Sequence, residues 1–235
     1  MSITAELRLV SPRVLEILEK DPSLIEAVLR TGLPTLPGLD GMPIPASVAK
    51  VLAGLPSDER ARREKQMAEQ MAAFRSSPQG AALAAMVDGI DEDLEEDRAE
   101  LERLGVTVDD VGDPLALDKA WHGLHFLLTG SSTDTAPPLG AAVLGGREVG
   151  EDLGYGPARS LSPAEVSAVA EALGRLTHED LGARFDPSAM EAEKIYPGQW
   201  DEPDNQEWLL EAFDEVKTYY AQARDRGYGM LLSMG

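Results

Sequence analysis

The segment WHGLHFLLTG at residues 121–130, followed by an apolar loop and then GREVGEDLGYGPARS at residues 146–160, decides the expected fold. The first segment is apolar on nearly every side, which predicts a core helix closed by a glycine. Asp113 and Pro114 form an N-cap followed by a proline, so we expect this helix to begin there. The glycine-bracketed REV segment and residues 157–161 are candidate strands.

The sequence also predicts a strand near each end of the chain. Residues 3–10 alternate apolar with polar side chains, the period of two that is typical of a half-buried strand. Residues 228–234 are short and apolar enough for a buried terminal strand. We expect these two strands to be neighbours in one sheet.

Capping residues predict several helices. Ser11 and Asp21, each followed by proline, indicate two short helices after the first strand. Ser162 and Glu165 form a capping box, in which each side chain can satisfy the other residue's backbone amide. Asp204 is expected to cap the last helix, which has a broad apolar face.

Residues 31–110 differ from the rest of the chain. Prolines and glycines are dense over residues 31–56, which predicts a loop with at most one short helix, at about 46–52. Methionines and a phenylalanine recur at helical spacing from residue 67, which predicts a buried helix face, and the acidic run 91–97 is expected to face water. The chain is therefore expected to form a single domain with a loop-rich and helical insertion at about 31–110. The fold class is α/β of the α+β type, a single mixed sheet flanked by helices.

Composition excludes several classes of function. The formal net charge is −21, from 42 acidic and 21 basic residues, which opposes binding to nucleic acid and to anionic membranes. There is no cysteine, so disulfides, thiol nucleophiles and cysteine-based metal sites are excluded. The first residues lack the pattern of a signal peptide, and no apolar run is long enough to span a bilayer, so we expect a cytoplasmic protein.

Two histidines on the core helix allow two interpretations. His122 and His125 are three residues apart, a spacing at which two imidazoles can reach one metal ion. A third ligand is not marked by the sequence, so no metal site is predicted. The favoured interpretation makes His125 a hydrogen-bonded core residue. The alternative places it as a titrating group at the bottom of a pocket.

The loop GYGPAR at residues 154–159 is the best candidate for a ligand site. Its glycines allow a ligand to approach the backbone, and Arg159 is a forked donor suited to carboxylate or phosphate. Tyr155, Tyr196 and Trp200 could add aromatic surface, so we expect these residues and His125 to share a pocket. In the structural alternative, Arg159 pairs with an internal acid such as Asp152.

A run of short motifs resembles a known family. It begins with Trp121 and the segments LHF and LTG of the core helix, continues with PL at residues 138–139 and AVLG at residues 142–145, and ends with Glu193 and IYPG at residues 195–198. The order and content of these motifs resemble the YfbM-like family of bacterial domains of unknown function. The likeness covers the first strand and residues 113–235, and it implies a sheet flanked by helices and no known activity.

No catalytic motif is recognised, and no cofactor is expected. We expect a non-catalytic interaction module whose acidic surface meets a protein partner, a basic one by charge complementarity. The alternative is a small-molecule domain or enzyme that binds an anionic ligand around His125, Tyr155 and Arg159. The first predicts an acidic face without a deep pocket, and the second predicts a concave cleft lined by aromatic residues.

Overall fold

Five strands form one antiparallel sheet in the computed structural model, which describes residues 3–31, 53 and 55–235. The strands are β1 (Ala5–Val10), β2 (Leu115–Asp118), β3 (Arg147–Asp152), β4 (Pro157–Leu161) and β5 (Gly229–Met234), in the order β2-β1-β5-β4-β3. Each neighbouring pair is antiparallel. The α+β class is thus confirmed, as is the pairing of the first strand with the last. The mixed sheet was wrong, because the pattern within a strand carries no information about its direction.

Nine α-helices lie within the described residues. They are α1 (Pro12–Lys20), α2 (Ile25–Arg30), α3 (Ser57–Arg75), α4 (Pro78–Arg103), α5 (Ala120–Thr129), α6 (Pro163–Gly174), α7 (His178–Gly182), α8 (Pro187–Ala192) and α9 (Asn205–Arg226). None of these helices has the length and apolar character that crossing a membrane requires.

Both faces of the sheet are buried. Along β5, Met230 and Leu232 join the core cluster that α5, α6 and α9 complete, whereas Leu231 joins a second cluster with α1 and α2. This division follows from the alternation of side chains in a strand, which sends successive residues to opposite faces. The helix α5 lies in the larger of the two cores, and eight of its ten residues are buried.

One expected helix start was wrong. The core helix begins at Ala120, because Leu115–Asp118 forms the strand β2 and pairs with β1. The last helix begins at Asn205 with Asp204 at the N-cap position, as expected, but the Asp204 side chain makes no capping hydrogen bond. The caps at Ser11 and Asp21 and the capping box of Ser162 with Glu165 are confirmed.

The chain divides into two compact units, Met1–Gly32 with Leu101–Gly235, and Leu33–Glu100. The first unit contains the sheet. The second contains α3 and most of α4, on which Met71, Phe74, Met86 and Ile90 are exposed, so the expected buried face of α3 was wrong. The acidic run 91–97 faces water at Glu92, Asp93, Glu95 and Glu96, as predicted. The loop and short helix expected between residues 31 and 56 lie almost entirely outside the described residues.

Candidate functional site

The turn between β3 and β4 is organised by Asp152. Its Oδ1 accepts hydrogen bonds from the backbone N–H groups of Gly154 at 2.7 Å and Gly156 at 2.9 Å. These two bonds favour the ionised form and lower the pKa of the Asp152 carboxyl. Both glycines have positive φ, which explains why this turn uses glycine. Asp152 is therefore occupied with shaping the turn and is not the partner of Arg159.

Arg159 pairs across the hairpin with Glu148. The two residues are directly opposite each other on β4 and β3, and Arg159 Nη2 lies 2.9 Å from Glu148 Oε1. The arginine side chain is 35% exposed and the glutamate 61%. Pairing with an acid is thus observed, but the acid is selected by strand register and not by closeness in sequence.

Tyr155 and Arg159 line one small cavity of about 50 Å³. The other lining residues come from the loop before β3 and from β5: Val143, Leu144, Gly156, Pro157, Leu232, Ser233 and Met234. A cavity of this size holds about one or two water molecules, whereas sites for organic ligands usually exceed about 300 Å³. His125, Tyr196 and Trp200 are not among the residues that line it.

His125 and Trp200 lie in the core. His125 is fully buried, and neither ring nitrogen has a hydrogen-bond partner among the described residues, so it is a core residue without the expected hydrogen bond. Burial is the main cause that lowers the His125 pKa to about 4, and repulsion from His122 adds to it. Trp200 is 1% exposed, and its Nε1 donates to the carbonyl of Ile195 at 2.8 Å.

Tyr196 belongs to a separate cluster around His122. Its backbone N–H donates to His122 Nδ1, and its ring stacks on Trp121 with a centroid distance of 6.1 Å. Of the five expected site residues, Tyr155 and Arg159 are brought together in one cavity by the hairpin. Trp200 and His125 are instead enclosed by apolar packing, and Tyr196 lies beside His122.

The histidine pair does not provide a metal centre. Both ring nitrogens of His122 are engaged with the backbone, at Tyr196 and Ser132. Within the part of the chain that the structure describes, no group of three histidine or carboxylate side chains is arranged to hold a metal ion.

A larger groove lies elsewhere, between α7 and the first half of α9. It has a volume of about 420 Å³ and is lined by His178, Pro203, Gln206, Glu207, Leu210, Glu211 and Asp214. Three of these residues are acidic and recur at i, i+4 and i+7 on α9, a spacing that places them on one helix face. That spacing could be seen in the sequence, but the nearness of His178 could not.

The groove carries uncompensated negative charge. His178 Nε2 lies 2.9 Å from Asp214 Oδ1, and both side chains are more than half exposed. Glu207 and Glu211 are exposed and have no ion-pair partner among the described residues. Leu210 and Pro203 add apolar surface between the charges. This arrangement suits a cationic segment with an apolar side chain.

Comparison with known proteins identifies a family for this chain but does not identify an activity. The family model described as Domain of unknown function (DUF1877) matches residues 1–233. The crystal structure of YfbM, a protein of unknown function from Escherichia coli, is similar with 24% sequence identity and a TM-score of 0.45, over 63% of this chain and 94% of that chain. No curated protein is similar to the chain. Because the family model covers nearly the whole chain, the protein belongs to the DUF1877 family of domains of unknown function, which confirms the resemblance to YfbM-like domains.

Proposed function

We propose that this protein is a non-catalytic interaction module that receives a basic segment of a partner protein in the groove between α7 and α9, below called the acidic groove. The observation that carries the proposal is the row of Glu207, Glu211 and Asp214 along one side of this groove. Two of these carboxylates have no ion-pair partner among the described residues, so a lysine or arginine of a partner would not have to displace an internal cation.

The placement of several basic side chains fits the proposal. Among the described residues, four basic side chains donate to carbonyl groups at or just beyond the C-terminal ends of helices: Arg8, Arg13, Arg184 and Lys217. Such contacts satisfy carbonyls that have no partner within the helix. None of the four is among the residues that line the acidic groove.

A peptide titration tests the proposal. A fluorescent peptide of alternating lysine and leucine is titrated with the protein, and the double variant Glu207→Gln with Glu211→Gln is compared with the wild type. Each exposed charge contact contributes up to about 1 kcal/mol, so we expect the double variant to weaken binding about fivefold, with the difference shrinking in high salt.

The matched control is Glu16→Gln with Glu151→Gln, which changes the net charge equally on exposed residues outside the groove. This control should change the affinity less than twofold. If both double variants weaken peptide binding equally, the net charge of the protein attracts the peptide. The groove would then not be the binding site.

A second candidate function is binding of a small anionic group at Arg159. One observation favours it, namely that Tyr155 and Arg159 line the same cavity. An anion would have to fit about 50 Å³ and compete with Glu148. Acetate titration followed by NMR tests it: Arg159→Ala should abolish the shifts at Tyr155, while Arg147→Ala, which removes another exposed ion pair, should not. Unchanged shifts in Arg159→Ala would end this candidate.

A further inference from the structure

His122, near the start of α5, contacts the backbone through both ring nitrogens. Nδ1 lies 3.0 Å from the backbone nitrogen of Tyr196, and Nε2 lies 3.1 Å from the carbonyl oxygen of Ser132. A backbone N–H can only donate and a carbonyl can only accept, so Nδ1 must carry a lone pair and Nε2 the proton. The contacts therefore fit the neutral Nε2–H form of the ring.

Protonation of His122 is incompatible with this arrangement. A proton on Nδ1 would point at the N–H of Tyr196, so that two donors would face each other and one hydrogen bond would be lost. The contact to Ser132 would survive, because Nε2 is a donor in both forms of the ring. The change on protonation is thus confined to the contact with Tyr196.

Tyr196 and His122 belong to one aromatic cluster, with the Trp121 ring at its centre. The Trp121 ring stacks on His122 with centroids 4.5 Å apart and on Tyr196 at 6.1 Å. The Tyr196 hydroxyl accepts from the backbone N–H of Ile3 at 3.2 Å, and Trp121 Nε1 donates to the carbonyl of Ile3 at 3.2 Å. His122 therefore holds Tyr196 where it meets both α5 and the residues before β1.

The segment around Tyr196 has few buried residues between its two ends. Ile195 and Trp200 are each 1% exposed and anchor its two ends. Residues 196–199 lie between these anchors and are half-buried or exposed, and Gln199 has a φ of 60°. Such short segments with few buried contacts open locally at a lower free energy than the core.

We propose that His122 is a pH-sensitive latch that holds residues 196–199 against α5 while its ring is neutral and releases them when it takes up a proton. This inference concerns a different surface from the acidic groove and does not depend on the proposed function.

Several charged and titratable groups lie around His122 and the segment 196–199. His125 lies one turn further along α5, Glu193 accepts from the hydroxyl of Ser132 at 3.3 Å, and Asp134 in the following loop acts on His125. From the segment after α8, Lys194 is exposed to solvent and Tyr196 contributes its hydroxyl. Burial lowers the pKa of His122 below its ordinary value of 6.5, against the effect of the Ser132 carbonyl. The closed form is therefore favoured at neutral pH and is lost as the pH falls.

Amide hydrogen exchange measured by NMR between pH 7.5 and 5 tests the latch. Opening is coupled to one proton, so the protection of the Tyr196 amide, corrected for the intrinsic exchange rate, should fall roughly tenfold per pH unit from about pH 6.5 down to the lowered pKa of the closed form. The amide of Tyr220, in the core part of α9, exchanges through unfolding of the whole unit, so its protection should follow the free energy of unfolding and exceed that of Tyr196 at every pH. Protection of Tyr196 that does not change with pH, or that equals that of Tyr220, would overturn the proposal.

Two variants test whether His122 is the histidine whose protonation opens the segment. His122→Asn keeps an acceptor close to the position of Nδ1 and cannot titrate, so Tyr196 protection should no longer depend on pH. His178→Asn, which removes an exposed histidine, should leave the dependence intact. If His122→Asn does not fold, the imidazole ¹⁵N shifts of the wild type at pH 7.5 identify the neutral form of the His122 ring. The latch requires the Nε2–H form, and an Nδ1–H form would contradict it.

Discussion

At the residue scale, His125 is a buried imidazole without a hydrogen-bond partner among the described residues. The unfolded chain takes up this proton near pH 6.5, whereas the folded chain does so near pH 4. Between these values the unfolded state binds more protons, so the free energy of unfolding falls as the pH decreases. We expect His125 to contribute a loss on the order of 2 kcal/mol between pH 7 and pH 4, measured by urea unfolding.

The variant His125→Leu checks this assignment. Because neither ring nitrogen has a partner to lose, the change should alter the free energy of unfolding at pH 7 by less than about 1.5 kcal/mol. It should also remove most of the acid destabilisation, whereas the control His178→Gln should not. An acid destabilisation as large in His125→Leu as in the wild type would contradict the low pKa of His125.

Trp121 packs in the larger core near the start of α5. It is 8% exposed, stacks on His122 and Tyr196, and donates to Ile3. Trp121→Ala should lower the free energy of unfolding by about 3 to 5 kcal/mol in urea. Tyr155→Ala, an aromatic truncation at an exposed turn, should cost far less. Equal costs for the two variants would show that Trp121 is not a core residue.

The site residues depend on contacts that the sequence does not show. The sequence allows Arg159 to bind a ligand or, in the structural alternative, to pair with an acid such as Asp152. The structure shows a pair with Glu148, because the register of two strands brings these residues together. Trp200 was placed at a ligand site for its aromatic ring, whereas packing against α5 and α9 buries it.

At the scale of the elements, the N-cap residues of α6 and α9 differ in their hydrogen bonds. Ser162 accepts from the backbone N–H of Glu165, whereas Asp204 makes no capping hydrogen bond through its side chain. Ser162→Ala should therefore lower the free energy of unfolding by about 1 kcal/mol, and Asp204→Ala by no more than a few tenths. Thermal unfolding of the two variants measures the difference. A cost for Asp204→Ala that matches Ser162→Ala would show that the Asp204 side chain does cap α9.

Gly123 controls how closely α5 approaches its neighbours. A Cβ atom at this position would lie 2.5 Å from the Trp200 ring and 2.9 Å from Leu209. Alanine has the higher helix propensity by about 1 kcal/mol, but the clash should outweigh it, and we expect Gly123→Ala to lower the free energy of unfolding by about 1 to 3 kcal/mol. Gly174→Ala, at the end of α6 with nothing within 4 Å, is the control. Stabilisation by Gly123→Ala would show that the helices can separate.

The elements that the sequence predicted are those with local signals. The alternation in β1 and the capping box at Ser162 depend on neighbouring residues, and the strand and the capping box were both correct. The half burial expected for β1 was wrong, because Arg8 on its polar face is also buried. The strand β2 was missed because Asp113 and Pro114 imitate a helix start, while the pairing of Leu115 with Leu7 on β1 determines the actual conformation. This contact joins residues separated by nearly half of the chain, and no local pattern predicts it.

At the scale of the whole molecule, acidic residues outnumber basic residues by 42 to 21. This net charge alone attracts any polycation at long range. The acidic groove adds a shape and an apolar contact, so we predict that binding is localised.

The most direct test of this claim is the NMR map of amide shifts on adding the lysine–leucine peptide to the ¹⁵N-labelled wild-type protein. We predict that the largest shifts lie on α7 and the first half of α9, around His178, Gln206, Glu207 and Glu211, and that they saturate at one peptide per chain. Shifts spread evenly over the acidic surface, or centred on the acidic run 91–97, would contradict the groove as the docking site.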